Sequence, residues 1–161
     1  MKQIKLITTL FICCFCLPLQ AEDLLSWYDL IEYDIDTYSI STELKKKITK
    51  EVKVVGFIVP LTDENSFDTV QEFYLVPDPM MCIHVPAPPP NQMIYVKMNK
   101  PIRLDIDFEG VYITGNITPK KGPLNYGDAG FELIGTKATE CEDYPFDEFL
   151  DPLLELNIEN Y

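Results

Sequence analysis

Two apolar segments of this chain, both rich in residues that favour β-strands, each contain a single central glycine. They are "VVGFIV", around Gly56, and "YITGNI", around Gly115. Strongly curved barrel strands need a glycine or a bulge where they turn a corner. The two glycine-broken segments therefore favour a small closed β-barrel.

The middle of the chain predicts five or six short strands separated by turn-forming residues. The predicted strands cover residues 52–61, 71–77, 91–98, 102–107, 110–117 and 130–138. Residues 102–107, "IRLDID", alternate apolar and charged side chains, as an exposed edge strand does. The chain is thus predicted to be mostly β, with an OB-like Greek-key barrel as the first interpretation. A β-sandwich with the same number of strands is the alternative, because periodicity does not separate the two.

Shorter helical segments flank the predicted barrel on its N-terminal side. Residues 23–31, "DLLSWYDLI", show helical spacing of apolar residues, and "STELKKKI" (41–48) is a second helical turn capped by Ser41 or Thr42. These features divide the chain into an N-terminal helical segment (22–50), a barrel domain (51–140) and an acidic tail (141–161). The tail has an apolar stripe broken by Pro152, which suits either a packed helix or a segment that docks on a partner.

The first twenty-one residues have the order of a secretory signal peptide. Lys2 and Lys5 precede an uncharged apolar run, and a small residue, Ala21, comes before the acidic "ED". We therefore expect cleavage near Ala21, export, no lipid anchor and no transmembrane segment in the mature protein. Two cysteines would remain, Cys82 and Cys141. A disulfide between them would stabilise the fold by about 3–5 kcal/mol.

The chain carries a net charge of −13 and has a pI near 4.3. Cleavage near Ala21 would remove two lysines and no acids, which gives −13 − 2 = −15. A surface this acidic repels phosphate backbones, so nucleic acid is not an expected partner.

The segment "PDPMMCIHVPAPPPNQ" (77–92) holds the only histidine of the chain. If this segment is extended, Cys82 and His84 lie two residues apart on one face, where a thiolate and an imidazole can share a metal ion. Zinc suits such ligands, and the neighbouring methionines extend the choice to copper(I). The spacing alone is a weak metal signal. A core thiol beside a backbone-bonded histidine fits it equally.

Neighbouring residues limit what Cys82 and His84 can do. Side chains on one strand rarely orient as nucleophile and base, so we do not expect an enzyme. The run "PAPPP" (86–90) lacks backbone donors at four positions and forms a stiff, extended connector. Such a connector either fixes the geometry next to Asn91 and Gln92 or is itself bound by a partner protein.

The ordered strings "VKVVGFIVPL", "EFYLVP", "CIHVPAPPPNQMIYVK", "VYITGNI" and "GFELIGTKA" resemble a bacterial family of exported proteins, domain of unknown function 3299. The family signature falls on Cys82, His84, Pro86, Pro88, Pro89, Pro90, Asn91 and Gln92. This chain departs from it at Ala87 and at Met80–Met81. The resemblance implies a small periplasmic or lipoprotein domain, encoded in some genomes near envelope ABC-type transporters and metal-responsive genes, a context that favours a transition-metal or transporter-accessory role.

Three functional hypotheses follow. The first is a metal-handling accessory of an envelope transporter that binds zinc or copper through Cys82 and His84, supported by Asn91 or Gln92. The second is a protein-interaction module that uses the proline-rich loop to engage a transporter or another periplasmic protein. The third is a thiol–disulfide redox protein.

Overall fold

Five long strands form a closed barrel, in which every strand pairs with a neighbour on each side. The structure, a computed structural model, describes residues 23–61, 69–79, 88–103, 110–122 and 128–141. The strands are β1 (Asp23–Leu24), β2 (Val52–Pro60), β3 (Thr69–Val76), β4 (Ile94–Arg103), β5 (Val111–Pro119) and β6 (Phe131–Glu140). Two short helices, α1 (Trp27–Ile31) and α2 (Thr42–Lys47), precede β2, and a 3-10 turn (Pro90–Gln92) precedes β4.

The barrel strands follow the order β2-β3-β4-β6-β5, and β5 pairs back onto β2. All of these pairs are antiparallel except β4 with β6, which are parallel. The last strand therefore lies between two strands that precede it in the chain, as in a five-stranded Greek-key barrel. This closed barrel confirms the predicted mostly-β, OB-like architecture and decides against a sandwich.

Both predicted glycines lie where neighbouring strands come unusually close. At Gly56, β2 changes partner, from β5 before it to β3 after it. A Cβ on Gly56 would lie 2.7 Å from the carbonyl oxygen of Val76. Gly115 follows a register shift between β5 and β6, and a Cβ there would overlap the carbonyl oxygen of Ile134. The glycines thus allow the curvature that closes the barrel.

The barrel interior is filled by alternate residues of each strand together with side chains from α1. Trp27 is fully buried, and its indole N–H donates a 2.7 Å hydrogen bond to the carbonyl oxygen of Val55. The largest side chains buried with it include Tyr33, Phe73, Leu75, Ile94, Ile113, Phe131 and Leu133. Helix α1 is therefore an integral part of the barrel core.

The start of the chain differs from its predicted helix over residues 23–31. Ser26 caps α1: its hydroxyl accepts from the amide of Asp29, and the carboxylate of Asp29 accepts from the amide of Ser26 at 3.1 Å. A reciprocal cap of this kind starts the helix at Trp27. The two preceding residues, Asp23 and Leu24, instead form β1 and pair in parallel with β2. For α2, of the two predicted caps, Ser41 is the N-cap and Thr42 is the first residue of the helix.

Two strand boundaries were also wrong. Residues 91–92 form the 3-10 turn, because Pro90 removes a backbone donor and its neighbours close i→i+3 bonds instead. Residues 102–103 belong to the end of β4, so they do not start a separate edge strand. Residues 104–107 of that predicted strand, the signal segment 1–21 and the tail 142–161 lie outside the described residues. The domain boundaries remain predictions.

Candidate functional site

The described part of the proline-rich segment runs from the buried Pro88 to the buried Gln92. Pro89 is exposed and extended, with φ −61° and ψ 152°. The 3-10 turn follows: the amide of Gln92 donates to the Pro89 carbonyl at 2.8 Å, and the amide of Met93 donates to the Pro90 carbonyl at 3.3 Å. A stiff extended residue therefore feeds directly into a tight turn at the entrance to β4.

This turn is bonded to two other elements of the fold. The amide of Gly130, just before β6, donates a 2.6 Å hydrogen bond to the carbonyl oxygen of Pro90. A Cβ on Gly130 would lie 2.5 Å from that oxygen, so only glycine allows the approach. On the other side, Nδ2 of Asn91 donates to the carbonyl oxygen of Ile31 at 3.3 Å. The Ile31 oxygen belongs to the last turn of α1, where carbonyl groups have no N–H partner within the helix, so the Asn91 side chain supplies a donor from outside the helix.

Tyr33 ties α1 to the opposite side of the same junction. Its ring packs against Phe131 with 5.2 Å between ring centroids, and its hydroxyl donates a 2.6 Å hydrogen bond to the Lys120 carbonyl. Burial raises the pKa of Tyr33, with smaller contributions from Tyr38 and Asp34. The phenol therefore stays protonated and remains a donor. The turn, α1 and the approach to β6 form one interlocked junction, here called the amide junction (Ile31, Tyr33, Pro90–Gln92, Gly130).

Two amide oxygens at this junction have no donor among the described residues. Oδ1 of Asn91 and Oε1 of Gln92 are buried, and neither accepts a hydrogen bond within the part of the chain that the structure describes. Gln92 is only 4% exposed. An unpaired buried acceptor costs about 1–3 kcal/mol. A bound donor at these atoms, such as an N–H group or a metal-bound water, would remove that cost.

The predicted site residues fall into two groups. Pro88, Pro89, Pro90, Asn91 and Gln92 are brought together in and beside the turn. Cys82, His84 and Pro86 lie outside the described residues, so the pairing of the thiol with the imidazole stays a prediction.

Cys141 belongs to a separate buried cluster. Its side chain packs with Val55 against Tyr112, is 2% exposed, and is a free cysteine in the described structure. A hydrogen bond with Cys141, together with burial, raises the pKa of Tyr112. The ammonium of Lys53 lies 4.1 Å from the centre of the Tyr112 ring. The possible bridge from Cys141 to Cys82 remains a prediction, because Cys82 is not described.

Sequence reasoning missed the anchoring residues of the amide junction. Gly130 stands at the start of the predicted strand 130–138, and Tyr33 lies between the two predicted helical segments. The sequence does carry a signal for Gly130, because a glycine directly before an apolar strand often marks close backbone approach. No comparable signal points to Tyr33, whose partner Lys120 is 87 residues away.

Within the described ranges, no group of three or more His, Cys, Asp or Glu side chains could hold a metal ion. The same ranges contain no helix long and apolar enough to cross a membrane. The sequence candidates for metal ligands, Cys82 and His84, lie outside these ranges.

Comparison with known proteins places the chain. Residues 27–140 match the family model described as "Protein of unknown function (DUF3299)". The chain belongs to this family. The crystal structure of a DUF3299 family protein from Pseudomonas aeruginosa PAO1, at 2.45 Å resolution, is similar, with a TM-score of 0.59 and 24% sequence identity. The match covers 76% of this chain and 98% of that one, and it shows that the two share a fold. The comparison with curated proteins gave no match. The DUF3299 region thus contains α1, α2, β2–β6 and the amide junction.

Proposed function

We propose that this DUF3299 protein is an exported accessory protein that binds a transition-metal ion, zinc or copper, through Cys82 and His84. In this proposal it serves an envelope ABC-type transporter. The observation that carries the proposal is that the amide oxygens of Asn91 and Gln92, seven to ten residues after Cys82 and His84, have no donor among the described residues.

The residues present fit such a group in a specific way. A histidine that binds a metal through one ring nitrogen donates its other N–H to an acceptor, which fixes the tautomer and the ring orientation. The amide oxygens of Asn91 and Gln92 can accept such an N–H, since neither has a donor among the described residues. Because Asn91 is bonded to Ile31 and the turn to Gly130, these acceptors are held on a rigid frame. The frame therefore offers the support that a metal-bound imidazole requires.

In this proposal Cys82 and His84 hold the ion, and a carboxylate, a methionine or water completes its coordination. Gln92 and Asn91 would act on the imidazole or on metal-bound water without touching the ion. When bound, zinc would hold its ligands together, and copper(I) would be carried as cargo by soft sulfur ligands. The chain's own contribution is to position a neutral imidazole and a thiolate.

The test is metal analysis of the mature protein recovered from the periplasm, followed by competition with a chromophoric chelator. We expect close to one equivalent of zinc or copper. Cys82→Ala and His84→Ala should abolish binding, and Gln92→Leu should weaken it by about 10- to 100-fold. Cys141→Ala is the matched control for loss of a thiol, and it should bind as the parent does. Less than about a tenth of an equivalent, or equal binding by all variants, would reject the proposal.

A second function has its own supporting observation. Pro89 is exposed and has the backbone angles of a polyproline helix, the form in which aromatic grooves of partner proteins bind proline. We propose as the alternative that this residue anchors a protein partner. Pro89→Gly should then reduce capture of the transporter component, while Cys82→Ala leaves it intact. The opposite pattern would leave the metal proposal in place and remove this one.

Both proposals include export with removal of the signal peptide, and the intact mass of the protein measures that removal. The mass of periplasmic protein should correspond to a chain that begins after Ala21. A mass that includes residues 1–21 would contradict the proposed cleavage.

A further inference from the structure

A second surface of the barrel, distinct from the amide junction, carries two paired tyrosines. Register places Tyr74 of β3 opposite Tyr95 of β4, and Tyr95 beside Glu132 of β6. Two pairs along, and so on the same face of the sheet, Glu72 of β3 lies opposite Lys97 of β4. Cross-strand neighbours project from the same side of a sheet. These five residues therefore form one patch on the outside of the barrel, here called the tyrosine face.

The two rings are held rigidly. Their centroids are 6.2 Å apart at an interplanar angle of 65°, an edge-to-face arrangement, and both side chains are half-buried. They pack against an outer layer of buried residues, separate from the main core, that consists of Phe57, Val76, Met93 and Ala129. Aromatic side chains fixed by a packed layer lose little conformational entropy when a ligand contacts them. The tyrosine face is thus already arranged for binding.

Polar groups surround the rings in a hydrogen-bonded chain. The hydroxyl of Tyr95 donates to Oε2 of Glu72 at 2.7 Å, and Nζ of Lys97 lies 3.0 Å from Oε1 of the same carboxylate. The ammonium of Lys120 lies 5.2 Å from the centre of the Tyr95 ring. The bond to Glu72, with burial adding to it, raises the pKa of Tyr95 to about 12. Donors and acceptors therefore alternate around an aromatic centre.

The charge of this patch separates it from the rest of the chain. Glu72 and Glu132 are balanced by Lys97 and by Lys120, whose ammonium lies near the Tyr95 ring, so the tyrosine face together with Lys120 is formally neutral in a chain of net charge −13. A cation would meet two ammonium groups there, and a polyanion would meet two carboxylates and the acidic surroundings. An uncharged ligand with an apolar ring face and many hydroxyl groups encounters neither obstacle. Sugar rings have this chemistry.

We propose that the tyrosine face binds an uncharged oligosaccharide, with sugar rings stacked on Tyr74 and Tyr95 and hydroxyl groups bonded to Glu72, Lys97 and Glu132. The position of the tyrosine face agrees with this ligand class. Strands β3 and β4 are the second and third strands of the barrel, and other proteins with OB barrels bind oligosaccharides on the face of those two strands. The proposal does not depend on Cys82 or His84. It adds a second site to the molecule.

The test uses the full mature chain and three neutral probes: cellohexaose, maltohexaose and chitohexaose. Binding is followed by NMR of protein labelled on tyrosine, and affinity is measured by calorimetry. We expect at least one probe to bind and to shift the signals of Tyr74 and Tyr95. Tyr74→Ala and Tyr95→Ala should each weaken binding by about tenfold or more, because each removes a stacking surface. Tyr28→Ala, which removes a tyrosine that is 49% exposed elsewhere, is the matched control and should have no effect.

Two further measurements keep the result decisive. If an alanine variant fails to fold by circular dichroism, Glu72→Gln and Lys97→Gln replace it, and each should weaken binding while leaving the rings in place. A deacetylated, cationic chitosan hexamer and a sulfated oligosaccharide should bind more weakly than the neutral chains. Absence of binding by all three neutral probes up to about 10 mM would overturn the proposal. So would signals that shift only outside the tyrosine face, or tighter binding of a charged probe.

Discussion

The amide of Gly130 and the carbonyl of Pro90 are joined by a 2.6 Å hydrogen bond between residues forty positions apart in the chain. The bond fastens the end of the proline-rich segment to the strand that closes the barrel. Because Gly130 has no Cβ, the two backbones approach closely enough to form it. The segment next to the predicted metal ligands is thus part of the barrel framework at its C-terminal end.

Gly130→Ala should destabilise the protein by about 1–3 kcal/mol, because the added methyl group would lie 2.5 Å from the Pro90 oxygen and force the turn away. Urea unfolding measures this loss, and amide hydrogen exchange should show faster exchange at residue 130. Gly122→Ala is a useful comparison, since a Cβ there meets no atom within 4 Å but the residue has φ +107°. Gly122→Ala should leave amide hydrogen exchange at residue 130 unchanged, whatever it costs in overall stability. Equal exchange in Gly130→Ala and the parent would contradict the prediction.

Trp27→Phe should lower the free energy of unfolding by about 2–3 kcal/mol, since it removes the indole hydrogen bond to the buried Val55 carbonyl and leaves a void in the core. Circular dichroism is the suitable probe, because Trp27 is the chain's single tryptophan. Tyr28→Phe, one residue along on the exposed side of α1, should change stability little. A Trp27→Phe variant as stable as the parent would show that the indole bond contributes nothing.

Asp29 should make the stability of the fold depend on pH in the acid range. Burial alone would raise the pKa of Asp29, but hydrogen bonds from Lys47, at 2.6 Å, and from Ser26 outweigh it and hold the pKa below its ordinary value. A carboxyl whose pKa is lowered on folding stabilises the protein above its unfolded pKa, near 4, and loses that effect as the pH falls through the folded value. Asp29→Asn should therefore be less stable than the parent at pH 7.

The stability difference between Asp29→Asn and the parent should shrink steadily below about pH 4. Thermal unfolding at a series of pH values measures it. Asp36→Asn serves as the control, because it removes an exposed carboxylate nearby and should leave the pH dependence as in the parent. A difference between Asp29→Asn and the parent that is constant from pH 7 to about pH 2 would refute the assignment.

Cys141 should be chemically silent in the folded protein. Its thiol is buried against Val55 and Tyr112, so a thiol reagent should label Cys82→Ala protein slowly under native conditions and with one equivalent after unfolding. Labelling of the mature parent chain, unfolded without reductant, distinguishes the possible disulfide from two free thiols. Two equivalents of label would reject the bridge between Cys82 and Cys141. None would establish it.

The strands of the barrel could be predicted because β-branched runs and central glycines have local causes. Gly56 and Gly115 mark the bends, and Ser41 marks the start of α2. The start of α1 could not be placed in the same way. Asp23 and Leu24 have a helical pattern in sequence, and only pairing with Val52 and Lys53 makes them a strand. Propensity gave way to a tertiary contact.

The candidate site was accessible from sequence only in part. The support of a site by Asn91 and Gln92 stays a prediction, and what the structure adds is that their amide oxygens have no donor among the described residues. Their anchors, Gly130 and Ile31, are distant along the chain, and no periodic pattern links them. The tyrosine face escaped notice for the same reason, since Tyr74 and Tyr95 become neighbours only through the register of β3 on β4.

The parallel pairing of β4 with β6 affects how the chain must be made. Strand β6 is the last barrel strand in the chain, and it pairs with β4 on one side and β5 on the other. Until β6 is in place, one edge of β4 and one edge of β5 have no strand to pair with. Closure therefore waits until the polypeptide has been delivered past Glu140, and any earlier product has two bare strand edges exposed to other chains. Chains cut short before Phe131 should aggregate, and a holding chaperone should associate with them more than with full-length protein.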